Sequence, residues 1–275
     1  MKKKINKNKW IIVIILALGS LVMLFPFIWM MLSSFKTVSD VYKYPPKWLP
    51  SCWKFNNYSK VFEMIPFGRY YFNSIYTSVV QTIVQIGISV MAAYAFAVLK
   101  FPGKSSLIVL FESTMFVPKV VTLIPMYLLV SQVHLIDTYA GIIIPQILSA
   151  FIMFLILSFF CTIPKDLFDS AKLDGCGYYR ILSEVVIPNG KSAISTAALF
   201  SFLGHWKSYA WPLIVTNNQK YRTLPIGMKY LIQESSSEYQ VMMAASVMAI
   251  LPVIIVFIVF EKQLVRSITL TGLKA

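Results

Sequence analysis

The chain has 275 residues, 57% of them hydrophobic and 13% charged, and so few charges, about half of what a soluble domain carries, cannot cover a water-facing surface, so the excess apolar mass must face lipid. The formal net charge of +14 sits mainly between apolar runs and not on a face interleaved with aromatics, which fits membrane topology and anionic lipid and argues against nucleic acid. Three scattered cysteines, Cys52, Cys161 and Cys176, with no C-x-x-C pair, and two histidines, His134 and His205, argue against a disulfide framework and against a metal site.

A spanning helix needs about 20 apolar residues, so this length holds six spans and short loops but no separate soluble domain. The chain opens on a basic stretch, Lys2 to Lys9, followed by an uncharged run that predicts a first span over residues 10–32. That run is too long, and too bulky near its end (Phe25, Phe27, Trp29), for a cleaved signal peptide. Residues 33–69 are polar and aromatic, with Pro45, Pro46 and Pro50, and are expected to form a structured outer loop. A second span is predicted over 71–99, ending at the tight turn Lys100-Phe101-Pro102-Gly103-Lys104. The third, over 105–130, contains Glu112, Pro118, Lys119 and Pro125 and is expected to be kinked or locally unwound. A fourth span follows over 139–160, then a polar loop over 161–192, a fifth span over 193–216, a sixth over 239–260 and a short tail. The expected fold class is therefore an all-α membrane protein of six spans, forming one transmembrane domain over residues 1–275, with N- and C-termini cytoplasmic. On that topology fourteen Lys and Arg lie inside and nine outside, a bias in the direction the positive-inside rule requires. Residues 33–69 carry six of the nine, and a folded loop is where that rule weakens.

The loop at 161–192 is the informative stretch. Pro164 fits the first turn of a helix, and Asp166 adds favourable charge near its N-terminus. Leu167, Phe168 and Ala171 share one face. Gly175 can take the left-handed conformation that ends a helix. A second periodic run brings Ile181, Leu182 and Val185 together, and Pro188 is expected to stop it before the next span. Ser170, Ala171, Gly175 and Gly177 are small enough for a partner backbone to approach. A helix lying on anionic lipid would show a basic polar face. Here Asp166, Asp169, Asp174 and Glu184 match Lys165, Lys172, Arg180 and Lys191 in number, so the loop reads as a protein contact.

At these residues the sequence resembles the EAA loop, the permease signature of bacterial ABC importers. The family pattern is E-A-A, two residues, D-G-A, a hydrophobic at fixed spacing and I-x-L-P. Asp169-Ser170-Ala171 stands for E-A-A and Asp174-Gly175-Cys176 for D-G-A. Leu182 takes the usual Phe position, Val185 the Ile, and Ile187-Pro188 the Leu-Pro, while Ser192 replaces a frequent final Pro. The resemblance spans nearly the whole chain and narrows to the carbohydrate-uptake branch, the maltose-permease-like inner membrane subunits. Ser34-Phe35-Lys36 with Tyr44-Pro45-Pro46-Lys47-Trp48-Leu49-Pro50 looks like that branch's first outer loop, and Phe72-Asn73-Ser74 like the start of its second span. Trp211-Pro212-Leu213-Ile214 and Thr223-Leu224-Pro225-Ile226-Gly227 resemble its fifth span and following loop, where the usual W-N-D is here Trp206-Lys207-Ser208.

The resemblance implies the six-span ABC type I importer permease fold in a prokaryotic cytoplasmic membrane, importing a sugar or related solute by alternating access. It implies a coupling loop carried by Leu167, Phe168, Asp169, Ser170, Ala171, Asp174, Gly175, Cys176, Leu182 and Pro188. The partners it implies are a second homologous permease subunit, two ATP-binding subunits and an extracytoplasmic solute-binding protein, alongside membrane lipid. No cofactor is expected on this chain; ATP and Mg would be held by the partner ATPase subunit. The triplets Gly103-Lys104-Ser105 and Gly190-Lys191-Ser192 are not phosphate-binding loops, because the required earlier Gly is Val98 in one and Val185 in the other.

Polar residues inside the predicted spans are candidates for the substrate pathway. Lys207 lies about 21 Å along a helix starting near Ala193, at 1.5 Å per residue. Two readings stand for it, snorkelling or a structural pair on one hand and the substrate path on the other. Lys119 is similar, and Glu112 reads as an interhelical partner. His205, Trp206, Tyr209 and Trp211 form either a set of sugar-stacking rings or an outer aromatic belt. Gln146 is a further pathway candidate, and Met242, Met243 and Met248 read as packing. An ion-driven secondary transporter would need charged relays in several spans, and the chain shows no internal repeat of two halves of the kind many such transporters have. A membrane enzyme would need a nucleophile, a metal cluster or paired carboxylates, none of which the spans contain.

Overall fold

The computed structural model describes residues 7–234 and 238–272, with side chains described over 10–234 and 238–263. The cytoplasmic placement expected for the two ends falls on residues 1–6 and 273–275, outside the described residues. All regular structure among the described residues is helical. Contacts group the chain into two compact units, Met1–Gly68 with Gly227–Leu251 and Arg69–Ile226 with Pro252–Ala275.

In chain order, α1 runs over Lys7–Ser34 and is apolar and exposed from Trp10 to Ile28, as a lipid-facing helix should be. The short helices α2 (Val38–Val41) and α3 (Asn56–Met64) follow. Helix α4 (Phe67–Val98) is a single element of 32 residues. Then come α5 (Lys104–Thr114), α6 (Lys119–Gln132), α7 (Tyr139–Ile143) with a 3-10 turn over Ile144–Gln146, and α8 (Ala150–Phe160). Helices α9 (Lys165–Leu173) and α10 (Tyr178–Ile181) lead through a π-turn at Leu182–Val186 into α11 (Ile187–Trp206). The chain closes with α12 (Ala210–Val215), a 3-10 turn at Gln219–Tyr221, α13 (Leu224–Glu234) and α14 (Tyr239–Gly272).

Among the described residues three helices are long and apolar enough to cross a membrane: α1 over Trp10–Ser34, α4, and α14 over Tyr239–Gln263. Two bent pairs, counted as one span each, bring the number to five. The first pair occupies the predicted third span, where α5 and α6 meet at 100°. This is a full break and not a kink. The residue before a proline avoids the helical region, and the chain ahead of Pro118 tightens into i→i+3 turns, Phe116 to Ser113 at 3.2 Å and Val117 to Thr114 at 3.3 Å. Pro125 lies inside α6 without ending it. The second pair occupies the predicted fourth span and bends by 45° between Gln146 and Ala150, just after Pro145, with Ser149 capping α8. The predicted fifth span is divided between α11 and α12, because Pro212 has no N–H to carry the helical ladder back to Ser208. The expected tail is helical as far as Gly272, as the end of α14.

In the first unit the predicted outer loop is held by side chains. Asn57 Nδ2 donates to the Ser34 and Lys36 carbonyls at 2.8 and 3.0 Å. The buried Lys36 ammonium lies 3.8 Å over the Trp29 ring and donates to the Lys47 carbonyl at 2.7 Å. Burial lowers its pKa, partly offset by Asp40. Asp40 accepts the Ser51 hydroxyl at 2.7 Å and its N–H at 2.9 Å, and these bonds hold its carboxyl well below the usual carboxylate range. Lys60 pairs with Glu238 at 3.2 Å within the same unit.

Candidate functional site

Two stretches of the second unit carry the candidate residues. The first is the loop at 161–192. Pro164 stands immediately before α9, Asp166 lies in its first turn and Lys172 in its last, each at the favourable pole of the helix. The helix ends in a two-bond cap: the Cys176 N–H donates to the Ala171 carbonyl at 2.9 Å and the Gly175 N–H to that of Lys172 at 3.0 Å. Gly175 has φ +79°, so the left-handed conformation expected of it is present. A Cβ on Gly175 or Gly177 would meet open space, so a side chain at Gly175 is opposed by the backbone angle alone.

The face predicted from spacing divides. Phe168 and Ala171 are buried and pack with Ile163, Ile181 and Val186 into a core that also holds Phe160 and Ile156 of α8 and Tyr94 and Phe96 of α4. Leu167 faces outward. Burying a Phe side chain contributes roughly 1.5–3 kcal/mol, so the loop is fixed to the membrane helices and not hung from them. Leu182 and Cys176 are half-buried at the rim of the same core. Asp169, Ser170, Asp174, Gly175 and Pro188 are exposed. The pairs Asp169–Lys172 at 3.3 Å and Arg180–Glu184 at 3.0 Å are exposed too and contribute little to stability.

Pro188 does not stop the second loop helix. It sits in the first turn of α11, and helix continues from Tyr178 to Trp206. The π-turn explains this: the Ile187 N–H reaches back to the Leu182 carbonyl, which shifts the ladder just before the ring that cannot donate. Gly190 then lets α11 lie against α8, since a Cβ there would overlap the Phe160 ring.

Sequence reasoning did not select Leu173, Tyr178 and Tyr179, yet they are the most exposed apolar side chains of the loop, at 90%, 66% and 87%. The signal was present as two adjacent tyrosines just past the glycine turn. Together with Leu167 they give an apolar surface around an anchored base.

The second stretch is the broken segment 133–149 with residues 207–224. A row of buried polar side chains spaced by four runs along α4: Asn73, Thr77, Gln81, Gln85 and Ser89. Asn73, Gln81 and Gln85 bind backbone of the two stretches, while Thr77 donates to the Asn73 carbonyl of its own helix at 2.8 Å. Pro145 cannot donate to the Gly141 carbonyl, and in hydrocarbon each freed group needs another partner. Trp211 Nε1 donates to the Gly141 and Ile142 carbonyls, both at 3.2 Å. Gln81 Nε2 donates to Ile142 at 2.9 Å and Gln85 Nε2 to Gln146 at 3.1 Å. Gln85 Oε1 accepts the Ser201 hydroxyl of α11 at 2.6 Å. Asn73 Nδ2 donates to the Lys220 and Arg222 carbonyls, and its Oδ1 accepts the Tyr139 hydroxyl at 2.7 Å. At Gly141 the backbone approach is so close that a Cβ would overlap the Leu135 carbonyl.

The pathway candidates fall around this region unevenly. Gln146 is half-buried, with its amide near Met126 Sδ at 3.9 Å and its carbonyl bound by Gln85. Trp206 is buried, stacked on Phe202 with centroids 5.9 Å apart and edge-on to Tyr71. Trp211 is buried too and is a backbone tie, so its ring is not presented for stacking. His205 is half-buried, its Nε2 enclosed and without a hydrogen-bond partner. Lys207 caps α11 with an exposed side chain, and Tyr209 is half-buried between α11 and α12.

The sequence matches, over residues 85–270, the family described as binding-protein-dependent transport system inner membrane component. It is 34% identical to the arabinooligosaccharides transport system permease protein AraQ of Bacillus subtilis (strain 168), over 93% of this chain and 92% of that protein. It is 28% identical to the sn-glycerol-3-phosphate transport system permease protein UgpE of Agrobacterium fabrum, over 94% of this chain and 95% of that protein. Among solved structures it is similar to a chain of a bacterial ABC transporter involved in the import of the acidic polysaccharide alginate, with TM-score 0.80, 25% identity, and coverage of 95% and 98%.

Proposed function

We propose a function from one premise: the chain belongs to the family of binding-protein-dependent transport system inner membrane components. It is a permease subunit of a solute importer, has the all-helical permease fold and is not an enzyme; ATP hydrolysis belongs to a separate subunit. From this we infer that its solute is a carbohydrate or polyol derivative, since its relatives are named for arabinooligosaccharides and for sn-glycerol-3-phosphate. The assembly is a pair of homologous permease chains with two ATP-binding subunits and an extracytoplasmic solute-binding protein, in a prokaryotic cytoplasmic membrane. ATP and Mg act on the ATP-binding subunits, and this chain holds no cofactor.

The observation that carries the coupling role is the loop at 161–192. It combines an exposed apolar surface at Leu167, Leu173, Tyr178 and Tyr179 with a base buried among α4, α8 and α11. A partner seated on that surface moves the helices beneath it, and so links the closing of the ATPase to access across the membrane. Purification of the chain with its operon partners tests the reading. An ATP-binding subunit should come with it, and the reconstituted complex should take up solute only with ATP and the solute-binding protein. Isolation as a complex without an ATPase, transporting on an ion gradient, would refute it. Six spans with both ends inside place Cys161 and Cys176 in the cytoplasm. With Cys52 replaced, a membrane-impermeant thiol reagent should label them only in opened vesicles, and their labelling in intact cells would reverse that topology.

A further inference from the structure

The loop between α2 and α3 is fastened to the side of α1. The Trp48 ring lies edge-on to two rings of that helix, 5.6 Å from Phe25 and 5.8 Å from Trp29. The junction is pinned by Lys36, whose ammonium sits over the Trp29 ring while donating to the Lys47 carbonyl, one residue before Trp48. Beyond Trp48 the loop is closed again by Asp40, which accepts the Ser51 hydroxyl and N–H. Within this fixed frame Trp48 and Leu49 remain 64% and 65% exposed. Exposed apolar side chains held in place by buried polar bonds mark a surface with an occupant.

Depth along α1 says which occupant. The helix enters its apolar run at Trp10, just past Lys7 and Lys9 in the sequence. At 1.5 Å per residue Phe25 lies about 22 Å and Trp29 about 28 Å further along, against a hydrocarbon core of roughly 30 Å. Trp10 and Trp29 therefore fall at the two edges of the core, where tryptophan concentrates, and Trp48 lies beside the second edge. A protein docking from water would have to enter the hydrocarbon to reach the level of Phe25. Every residue from Trp10 to Ile28 is exposed, so no single neighbouring helix can cover α1, and lipid reaches it. We propose that this loop is a membrane anchor. Trp48 and Leu49 enter the lipid beside α1, at the headgroup boundary of the leaflet opposite the basic start of the chain.

The test uses the assembled importer in phosphatidylcholine vesicles. Trp48→Phe keeps a ring against Phe25 and Trp29, and the tryptophan fluorescence it removes is the Trp48 share. That share should be quenched about twofold or more when the lipid chains are brominated near the headgroup. Bromination near the chain ends, or iodide in the water, should quench it less. The fluorescence added by Leu49→Trp, at an exposed position, should follow the same order and gives the answer should Trp48→Phe fail to assemble. Stronger quenching by iodide than by brominated lipid overturns the proposal; if solute-loaded binding protein then blocks the iodide, the surface belongs to that protein. Fluorescence that neither quencher reaches overturns it too, and assigns the surface to the second permease chain.

Discussion

The loop at 161–192 and the broken segment at 133–149 solve opposite problems. The loop is built from neighbours: a helix with charges at its favourable poles, a glycine cap closed by bonds within six residues, and a π-turn that admits a proline. It leaves Leu167, Leu173, Tyr178 and Tyr179 in the open. The broken segment is built from strangers: its freed carbonyls are bound by Gln81 and Gln85, some sixty residues upstream, and by Trp211, some seventy downstream. It is tied by buried side chains from other helices. Local chemistry makes a surface that can be engaged and released, whereas long-range donors lock a backbone that no local rule would stabilise.

If that contrast is right, substitutions in the two regions should differ in size and in what they damage. The largest effect is expected at Trp211→Ala, which removes a buried ring, takes the side-chain donor from the Gly141 carbonyl and leaves the Ile142 carbonyl to Gln81 alone. A Trp→Ala change in a core costs about 3–5 kcal/mol, so the purified subunit should unfold at a clearly lower temperature. An unchanged unfolding temperature would break the claim that Trp211 ties the break. Gln85→Leu comes next. It strands the Gln146 carbonyl and the Ser201 hydroxyl, at about 1–3 kcal/mol for buried groups left unpaired, and Gln85→Glu should not restore stability because it cannot donate. Smallest in stability is Gly175→Val, at about 1–2 kcal/mol for a side chain forced to positive φ. Its damage should appear instead in coupling: insertion near normal, with solute uptake and stimulated ATP hydrolysis both lost. Full uptake in this variant would show that the loop does not transmit the stroke.

The same contrast sets what was legible in the sequence. The left-handed Gly175, the two loop helices and the helices at α1, α4 and α14 follow from period, caps and apolar length, all of them local signals. The 100° turn at Pro118 was visible only as a break of unspecified size, because proline marks where a ladder fails and not where the chain goes next. Pro188 was misread as a stop because its π-turn compensates upstream. The α4 row of Asn73, Thr77, Gln81, Gln85 and Ser89 has a plain period of four in an apolar span, yet what it binds depends on tertiary placement. Trp211 reads in sequence as a stacking ring or a belt residue because nothing nearby in sequence names the carbonyls it serves.

The central claim is that the anchored loop transmits the ATPase stroke through its exposed surface. The most direct measurement is retention of the ATP-binding subunit by Leu173→Asp/Tyr179→Asp during purification, together with solute-stimulated ATP hydrolysis. Both side chains are exposed, so the isolated subunit should unfold at the wild-type temperature. The account predicts at least tenfold less ATPase retained and stimulated hydrolysis lost in proportion. Wild-type retention and hydrolysis in that variant would contradict it.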